Sequence, residues 1–220
     1  MIISRGDIVY KRLQEEDIEL LRKWRNSKDI SRTMIYRENI TREMQKKWFD
    51  SINNKYNLYF IIEYKEKKIG LINGKDIDWE KMSMETGVFY WDKSILKSHI
   101  PIICSLIFGE IGVRVFRLTA FAKIRKDNAN ARRLNKLLGF EVYKDIDPEY
   151  QLYKMNIDSY TKRSKVIMKA FNILLPKGKT NFLLEKKDYD CGIAQMIEKN
   201  MPEIILNNSE NTDKGKMFYF

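Results

Sequence analysis

The chain has 220 residues, of which 44% are hydrophobic and 32% charged, a composition that excludes a disordered or fibrous protein and allows one sizeable domain, with or without a small appendage. The longest apolar run, residues 100–108, contains Pro101 and Ser105 and is far shorter than the roughly 18 residues that a membrane helix needs. The charged first 12 residues lack the apolar stretch of a signal peptide. We therefore expect a soluble, cytoplasmic protein without a membrane span.

The charged and metal-binding residue types narrow the possible partners. The formal net charge is +11, which favours anionic partners, or belongs simply to a solvated basic surface. The only cysteines, Cys104 and Cys191, do not suggest a disulfide framework, and Cys104 lies in an apolar run typical of a buried thiol. With a single histidine, His99, and no Cys/His cluster, no metal site is expected.

The first half of the chain predicts strands and helices in a mixed order. Alternating residues predict a strand at 7–13, and acids followed by bases indicate a helix at 15–24, in agreement with the helix dipole. Thr41 is a good N-cap for a second helix, which carries an apolar stripe of Met44, Trp48 and Ile52. Three further strands are predicted at residues 56–64, 69–72 and 85–91.

The next part of the chain predicts a crossover between parallel strands. A helix is expected at 100–111, and a helix at 128–138 with one apolar stripe of Ala131, Leu134 and Leu138. Strands are expected at 117–124, 141–144 and 150–157, the first with one apolar face formed by Leu118, Ala120, Ala122 and Ile124. Because several antiparallel strands precede a β-α-β unit, the sheet should be mixed.

The pattern changes after residue 158. Residues 159–184 contain six Lys or Arg and no acid. The predictions for this part are an amphipathic helix at 165–175 stopped by Pro176 and Gly178, a short helix at 190–199 and a flexible end at 209–220. We interpret residues 1–158 as the domain and residues 159–220 as a basic, partly helical C-terminal extension that is not an independent domain.

An ordered set of short motifs resembles a known family. The motifs are Trp24-Arg25-Asn26, Glu85 to Tyr90, Leu118 to Ala122, Asn128 to Ala131, and Leu138-Gly139-Phe140. Over about residues 8–157 they resemble the GNAT superfamily of acetyl-CoA-dependent N-acetyltransferases. The first motif is similar to two branches, the N-acetyltransferases of amino-sugar nucleotides and the ribosomal-protein N-terminal acetyltransferases. The resemblance implies an α/β (α+β) GNAT fold, a mixed, mostly antiparallel twisted sheet flanked by helices.

The resemblance also implies a site for acetyl-CoA. In this family the fourth and fifth strands splay apart, and the pantetheine arm pairs with the fourth strand, here Phe89, Tyr90 and Trp91. The pyrophosphate rests on the N-terminus of the following helix. The residues that would surround the cofactor there are Lys97, Ser98, His99, Asn128 and Arg133. Asn128 is also a helix cap, and the alternative for Arg133 is a solvated surface charge.

Two positions depart from the family pattern. The pyrophosphate loop usually contains glycines, whereas residues 92–100 read D-K-S-I-L-K-S-H-I and contain none. Glycine lets backbone N–H groups approach a phosphate closely, so binding is rebuilt here with side chains, or it is weakened or lost. The tyrosine that protonates the leaving thiolate in many members is replaced by Asn135, which can hydrogen-bond the sulfur or a water but cannot supply a proton.

The catalytic and acceptor residues each have an alternative reading. Glu85 is a candidate general base, or an acid at the edge of a strand. Arg25 and Asn26 are candidates for the acceptor pocket, where Arg25 would form a fork on a phosphate; the alternative for Arg25 is a charge that balances the helix dipole. His99 is a candidate base or a phosphate contact.

The predicted function is therefore acetyl transfer from acetyl-CoA to a primary amine by direct attack on the thioester. The preferred acceptor is a small amino-sugar nucleotide, and a protein N-terminus is the second choice. The alternative from another class is a non-catalytic module that binds an anionic partner through residues 159–179. Nucleic acid is not the expected partner because no recognised nucleic-acid motif is present. A homodimer stays open.

Overall fold

A computed structural model describes residues 1–32, 34, 36–171 and 178–220. The strands are β1 Ile2–Arg5, β2 Ile8–Arg12, β3 Leu58–Tyr64, β4 Lys67–Asp78, β5 Ser83–Tyr90, β6 Thr119–Arg125, β7 Glu141–Asp145, β8 Tyr150–Met155, β9 Asn181–Glu185, β10 Ser209–Thr212 and β11 Gly215–Tyr219. The helices are α1 Ile18–Asn26, α2 Lys28–Ser31, α3 Arg42–Ile52, α4 Ile100–Gly109, α5 Ala129–Leu138, α6 Ile157–Phe171, α7 Lys186–Asp190, α8 Ile193–Asn200 and α9 Glu203–Leu206.

The described strands form one sheet of eleven in the order β10-β11-β9-β1-β2-β3-β4-β5-β6-β8-β7. Of the strand pairs in this part of the chain, β5 with β6 is parallel and the others are antiparallel. The parallel pair is joined by α4 and a π-helical turn at Glu110–Val115, as a parallel connection requires. The predicted mixed sheet with a β-α-β crossover is confirmed.

The sheet separates two apolar clusters. One contains Tyr10, Phe60, Phe108 and Tyr153 with the buried face of α4. The other contains Leu21 and Phe49, on α1 and α3, which cover β3 and β4. The face predicted for β6 is confirmed, because Ala120, Ala122 and Ile124 are at most 6% exposed, as is Leu118 just before the strand. Each cluster removes apolar side chains from water, the main stabilising contribution to such a fold.

The predicted stripe on α3 is wrong by one residue. Thr41 caps the helix as expected, since its hydroxyl accepts the N–H of Met44 at 3.2 Å. Met44 itself is 40% exposed, and the buried residues are Gln45 and Phe49. Trp48 and Ile52 lie at the edge of the cluster. The stripe was centred on the wrong line of the helix because Gln45, a polar residue, occupies a buried position.

The C-terminal extension joins the sheet. Strand β9 pairs with β1, which the sequence did not predict, through Ile2 opposite Leu183. The expected helix at 190–199 is two helices, α7 and α8, separated by Gly192 in the left-handed region (φ 79°). The prediction of a flexible end is wrong, because β10 and β11 form a hairpin, and β11 pairs with β9. Pro176, which was expected to stop the preceding helix, lies outside the described residues. No helix in the described ranges is long and apolar enough to cross a membrane.

Candidate active site

Strands β5 and β6 form a fork. Ser83 to Glu85 stand opposite Thr119 to Phe121, and the Thr86 hydroxyl donates to the Phe121 carbonyl at 3.2 Å. Beyond that point β5 stays paired with β4 and β6 with β8, and no described residues pair β5 with β6. The fork opens toward the carboxyl ends of both strands, where α4 and α5 begin.

Backbone groups along β5 alternate between its two neighbours. The N–H of Thr119 donates to the carbonyl of Met82 at 2.7 Å, whereas the N–H of Trp91 donates to the carbonyl of Ile69, on β4, at 3.0 Å. Even-numbered residues of β5 therefore face β6, and odd-numbered residues face β4. Inside the fork, the amide groups of Val88 and Tyr90 face the gap. A bound molecule with amide groups of its own can pair with them as a strand does.

This alternation separates the three residues predicted to contact the cofactor arm. Tyr90 turns its backbone groups to the fork, whereas Phe89 and Trp91 turn theirs to β4. The Trp91 indole N–H also donates to the carbonyl of Lys68 at 2.8 Å, and the ring stacks on Trp24 at 6.0 Å between centroids. The side chains of Tyr90 and Trp91 are buried, at 8% and 6% exposure, so they shape the core rather than the gap.

The first turn of α4 offers few free amide donors. The N–H of Ile100 donates to the Ser98 hydroxyl at 3.2 Å, as expected of a capping serine, although His99 occupies the N-cap position. Pro101 has no N–H. Lys97 is exposed and forms no ion pair with any described residue. An anion at this turn would therefore depend on side-chain charge, as the absence of glycine in the loop suggested.

Helix α5 begins beside the same fork. The prediction that Asn128 is its cap is confirmed, because the Asn128 side chain accepts the N–H of Ala131 at 3.0 Å. The Asn135 side-chain amide donates to the carbonyl of Ala131 at 2.8 Å, one turn away on the same helix. Arg133 is exposed on this helix. A contact from any of the three to a cofactor stays a prediction.

Glu85 lies at the base of the fork. Its carboxylate is 3.0 Å from the ammonium group of Lys75, which stands directly opposite on β4 and also contacts Asp76 at 3.1 Å. The Lys75 and Glu85 side chains are about one third exposed, at 32% and 34%. The carboxylate is thus fixed in direction and still reachable from solvent, which a general base requires.

Arg25, at the end of α1, is a largely buried cation without a carboxylate partner among the described residues. Its Nε is buried and makes no hydrogen bond. Burial lowers the pKa of Arg25 from its ordinary value, and the nearby Tyr59 opposes this. Burial in turn raises the pKa of Tyr59, which also senses the charges of Lys75 and Glu85. Arg25 and Glu85 therefore flank one tyrosine.

Asn26 has a structural role. Its side-chain amide donates to the carbonyl of Ile40 and accepts the N–H of the same residue, both at 2.9 Å. These two bonds hold the segment before α3 against the end of α1. A contact between Asn26 and an acceptor stays a prediction.

Sequence reasoning missed the residues that surround Glu85 and Arg25. Tyr59, Asn73 and Lys75 project from the same face of the sheet, because Tyr59 stands opposite Asn73 and Lys75 opposite Glu85. The alternation of Leu71, Asn73 and Lys75 was visible in the sequence. The register that sets them beside Glu85 was not.

The described residues contain no group of three or more His, Cys, Asp or Glu side chains that is able to hold a metal ion.

A sequence model described as the acetyltransferase (GNAT) domain matches residues 7–141. No curated protein has a significant sequence match to the chain. The model covers more than half of the chain and includes both strands of the fork. It ends before β8, so the C-terminal extension lies outside it.

Solved structures with the same fold include three acetyltransferases. Spermidine N-acetyltransferase from Vibrio cholerae, in complex with CoA and spermine, has a TM-score of 0.61 and 13% identity over 70% of this chain and 98% of its own. Aminoglycoside acetyltransferase AAC(6')-Ib, in complex with coenzyme A, has a TM-score of 0.60 and 14% identity over 70% and 98%. The ribosomal L7/L12 alpha-N-protein acetyltransferase RimL, with CoA, has 0.60 and 14% over 72% and 99%.

Proposed function

Since the chain belongs to the GNAT acetyltransferase family, and is an N-acetyltransferase that acts with acetyl-CoA, we propose that its acceptor is a small molecule with a primary amine and an anionic group, an amino-sugar nucleotide. The observation that carries this proposal is the largely buried, unpaired guanidinium of Arg25. A buried cation without a partner is unfavourable in the empty site, and an anionic group of the acceptor would complete it.

Acetyl-CoA supplies the activated acyl group. Its arm fits the fork, because the amide groups of Val88 and Tyr90 face a gap that no described strand fills. Its phosphates would be met by side chains, since the first turn of α4 has few free N–H groups. The residues proposed for this role are Lys97, Ser98, His99, Asn128 and Arg133.

Glu85 is the proposed general base. A primary amine is protonated at neutral pH, so its proton must leave before the nitrogen can act as a nucleophile. Glu85 lies at the base of the fork, where the acceptor and the arm would meet, and Lys75 holds its carboxylate in place at 3.0 Å. The backbone N–H of Val88 is positioned to donate to an oxygen that gains negative charge. Asn135, or a water that it holds, is the proposed partner of the leaving thiolate.

The charge near Arg25 separates this acceptor from others of the same fold. The Vibrio cholerae spermidine N-acetyltransferase acts on a polyamine, which is a polycation. The positive charge of Lys75 is offset by Glu85 and Asp76, whereas the charge of Arg25 is not offset by a described residue. A polycation would meet an uncompensated positive charge here, and a phosphate would accept the planar guanidinium at two oxygens.

A panel of acceptors tests the proposal. The purified protein is incubated with acetyl-CoA and, separately, an amino-sugar nucleotide, spermidine, an aminoglycoside and a peptide with a free N-terminus, and the acetylated products are measured by mass spectrometry. We expect the highest kcat/KM for the nucleotide. Arg25→Met should lower that value by roughly 10- to 100-fold, which corresponds to the loss of one charged contact.

Two results would contradict the proposal. One is a preference for spermidine that Arg25→Met leaves unchanged or improves. The other is a preference for the peptide, which would favour the protein N-terminal acetyltransferase reading. Lys23→Met, which removes an exposed charge from the same helix, is the matched control and should leave kcat/KM for the nucleotide unchanged.

A further inference from the structure

Asn73 is a polar residue in the middle of the sheet whose side chain is not satisfied. It lies on β4, opposite Tyr59 on one side and Gly87 on the other. Its Oδ1 is buried and has no hydrogen-bond partner among the described residues. An unpaired buried carbonyl destabilises a folded chain, and such groups are uncommon enough to need a physical reason.

Gly87 leaves the carboxamide of Asn73 uncovered on the β5 side. A Cβ at position 87 would approach Asn73 Oδ1 to 3.4 Å, so a larger side chain there would lie directly against it. With glycine at this position, the space over the amide is left to a ligand.

The surroundings of Asn73 are those of the acceptor site. Glu85 lies two residues before Gly87 on the same face of the sheet, and Lys75, its ion-pair partner, lies two residues after Asn73. Tyr59, directly opposite Asn73, is affected by the charge of Arg25. Two buried polar atoms without partners, Asn73 Oδ1 and Arg25 Nε, therefore lie on either side of Tyr59.

The direction of the side chain distinguishes the two substrates. The amide groups of Val88 and Tyr90 that suit the cofactor arm lie in the plane of the sheet, between β5 and β6. Asn73 instead projects from the face of the sheet together with Tyr59 and Glu85. Its free oxygen thus faces the side from which the acceptor would come.

We propose that Asn73 Oδ1 accepts a hydrogen bond from the amine of the acceptor and holds that nitrogen beside Glu85. The inference deepens the proposed function, on which it rests. A neutral carbonyl oxygen can accept an N–H from the ammonium and from the free amine alike, so the contact persists when the proton leaves. The acceptor then has two anchors, its amine at Asn73 and its anionic group at Arg25.

The test combines stability with kinetics. Asn73→Leu has nearly the same shape and no polar atom, so it removes the unsatisfied oxygen. We expect it to raise the melting temperature by about 2–4 °C. We also expect kcat/KM for the acceptor to fall roughly 10- to 100-fold, mainly through KM, while the dissociation constant of acetyl-CoA changes less than about twofold. Asn73→Asp keeps an oxygen in place and should restore most of the acceptor affinity.

Asn57→Leu is the matched control. Asn57 is satisfied, since its Oδ1 accepts the N–H of Asp76 at 3.3 Å and its Nδ2 donates to Asn54 at 3.0 Å. Its replacement should lower the melting temperature and leave the acceptor KM unchanged. The opposite signs separate an unsatisfied ligand-binding amide from a structural one, because a structural role for Asn73 would give the Asn57 result.

The kinetics use whichever amine of the panel the wild-type protein acetylates fastest, so a wrong choice of anionic acceptor does not remove the test. An unchanged acceptor KM in Asn73→Leu, or an increase in the acetyl-CoA dissociation constant instead, overturns the inference. If Asn73→Leu does not fold, Asn73→Ala is measured in its place under the same criteria. If no amine is acetylated, the proposed function and this inference both fail.

Discussion

Glu85 shows how a single residue can be tested against its structural alternative. As a general base it should contribute about 10²- to 10⁴-fold to the rate, whereas an acid at a strand edge contributes nothing to it. We therefore expect Glu85→Gln to lower kcat by at least about 100-fold, measured as initial rates with saturating acetyl-CoA. Glu80→Gln, an exposed acid in the turn before β5, should have no effect. A Glu85→Gln enzyme with the wild-type kcat would assign the residue to the ion pair with Lys75 alone.

A second prediction at this scale concerns pH. Hydrogen bonds from Arg22 lower the pKa of Glu19 from 4.5 to about 2. The folded chain then binds its proton less readily than the unfolded chain. The Glu19–Arg22 pair therefore stabilises the fold above pH 4.5, and this stabilisation is lost as the pH falls toward 2.

Glu19→Gln should reduce the free energy of unfolding at pH 6 and make no difference near pH 2. Urea titrations at the two pH values measure this, and a difference that is the same at both would contradict it. Arg22→Met should show the same pH dependence, because it removes the other half of the pair.

At the scale of elements, the turn after α5 depends on glycine. Gly139 has φ of 104°, and a Cβ there would lie 2.8 Å from the carbonyl oxygen of Ser159. Gly139→Ala should therefore lower the free energy of unfolding by at least about 2 kcal/mol, through backbone strain and this clash. Gly178 has φ of 128° with nothing within 4 Å of a Cβ, so Gly178→Ala isolates the strain and should cost less. Equal losses in thermal or urea unfolding would contradict the role of the clash.

The elements that the sequence predicted are those defined by local chemistry. The cap of Asn128, the left-handed Gly139 and the alternating face of β6 are all read within a few residues. The elements it missed depend on distant partners. Strand β1 is short and is a strand because β2 and β9 flank it, and β9 comes about 180 residues later.

The candidate site was predictable in the same uneven way. Glu85 and Arg25 were found as residue types near recognisable motifs, whereas Asn73 and Lys75 are part of the site only through their cross-strand partners. Register depends on the pairing of whole strands, and a shift by one residue would turn these side chains to the other face.

At the scale of the whole molecule, a buried ion pair joins the extension to the domain. Asp188, which is fully buried, lies 2.8 Å from Arg12 of β2, and Arg12 is 6% exposed. Asp188→Asn leaves the guanidinium without its charge partner and should lower the free energy of unfolding by about 3–5 kcal/mol. Asp190→Asn, at an exposed position on the same helix, should be nearly neutral. An equally small effect at Asp188 would mean that the extension contributes little to the stability of the domain.

The alternation of backbone groups along β5 has a consequence for how the sheet responds to its substrate. If the arm of acetyl-CoA takes the place of a missing neighbour in the fork, it protects every second peptide group from solvent. Amide hydrogens of Val88 and Tyr90 should then exchange with deuterium more slowly when CoA is bound, while that of Phe89, already turned to β4, should hardly change. Occupancy of the site would thus be recorded as a two-residue rhythm in the exchange rates of a single strand.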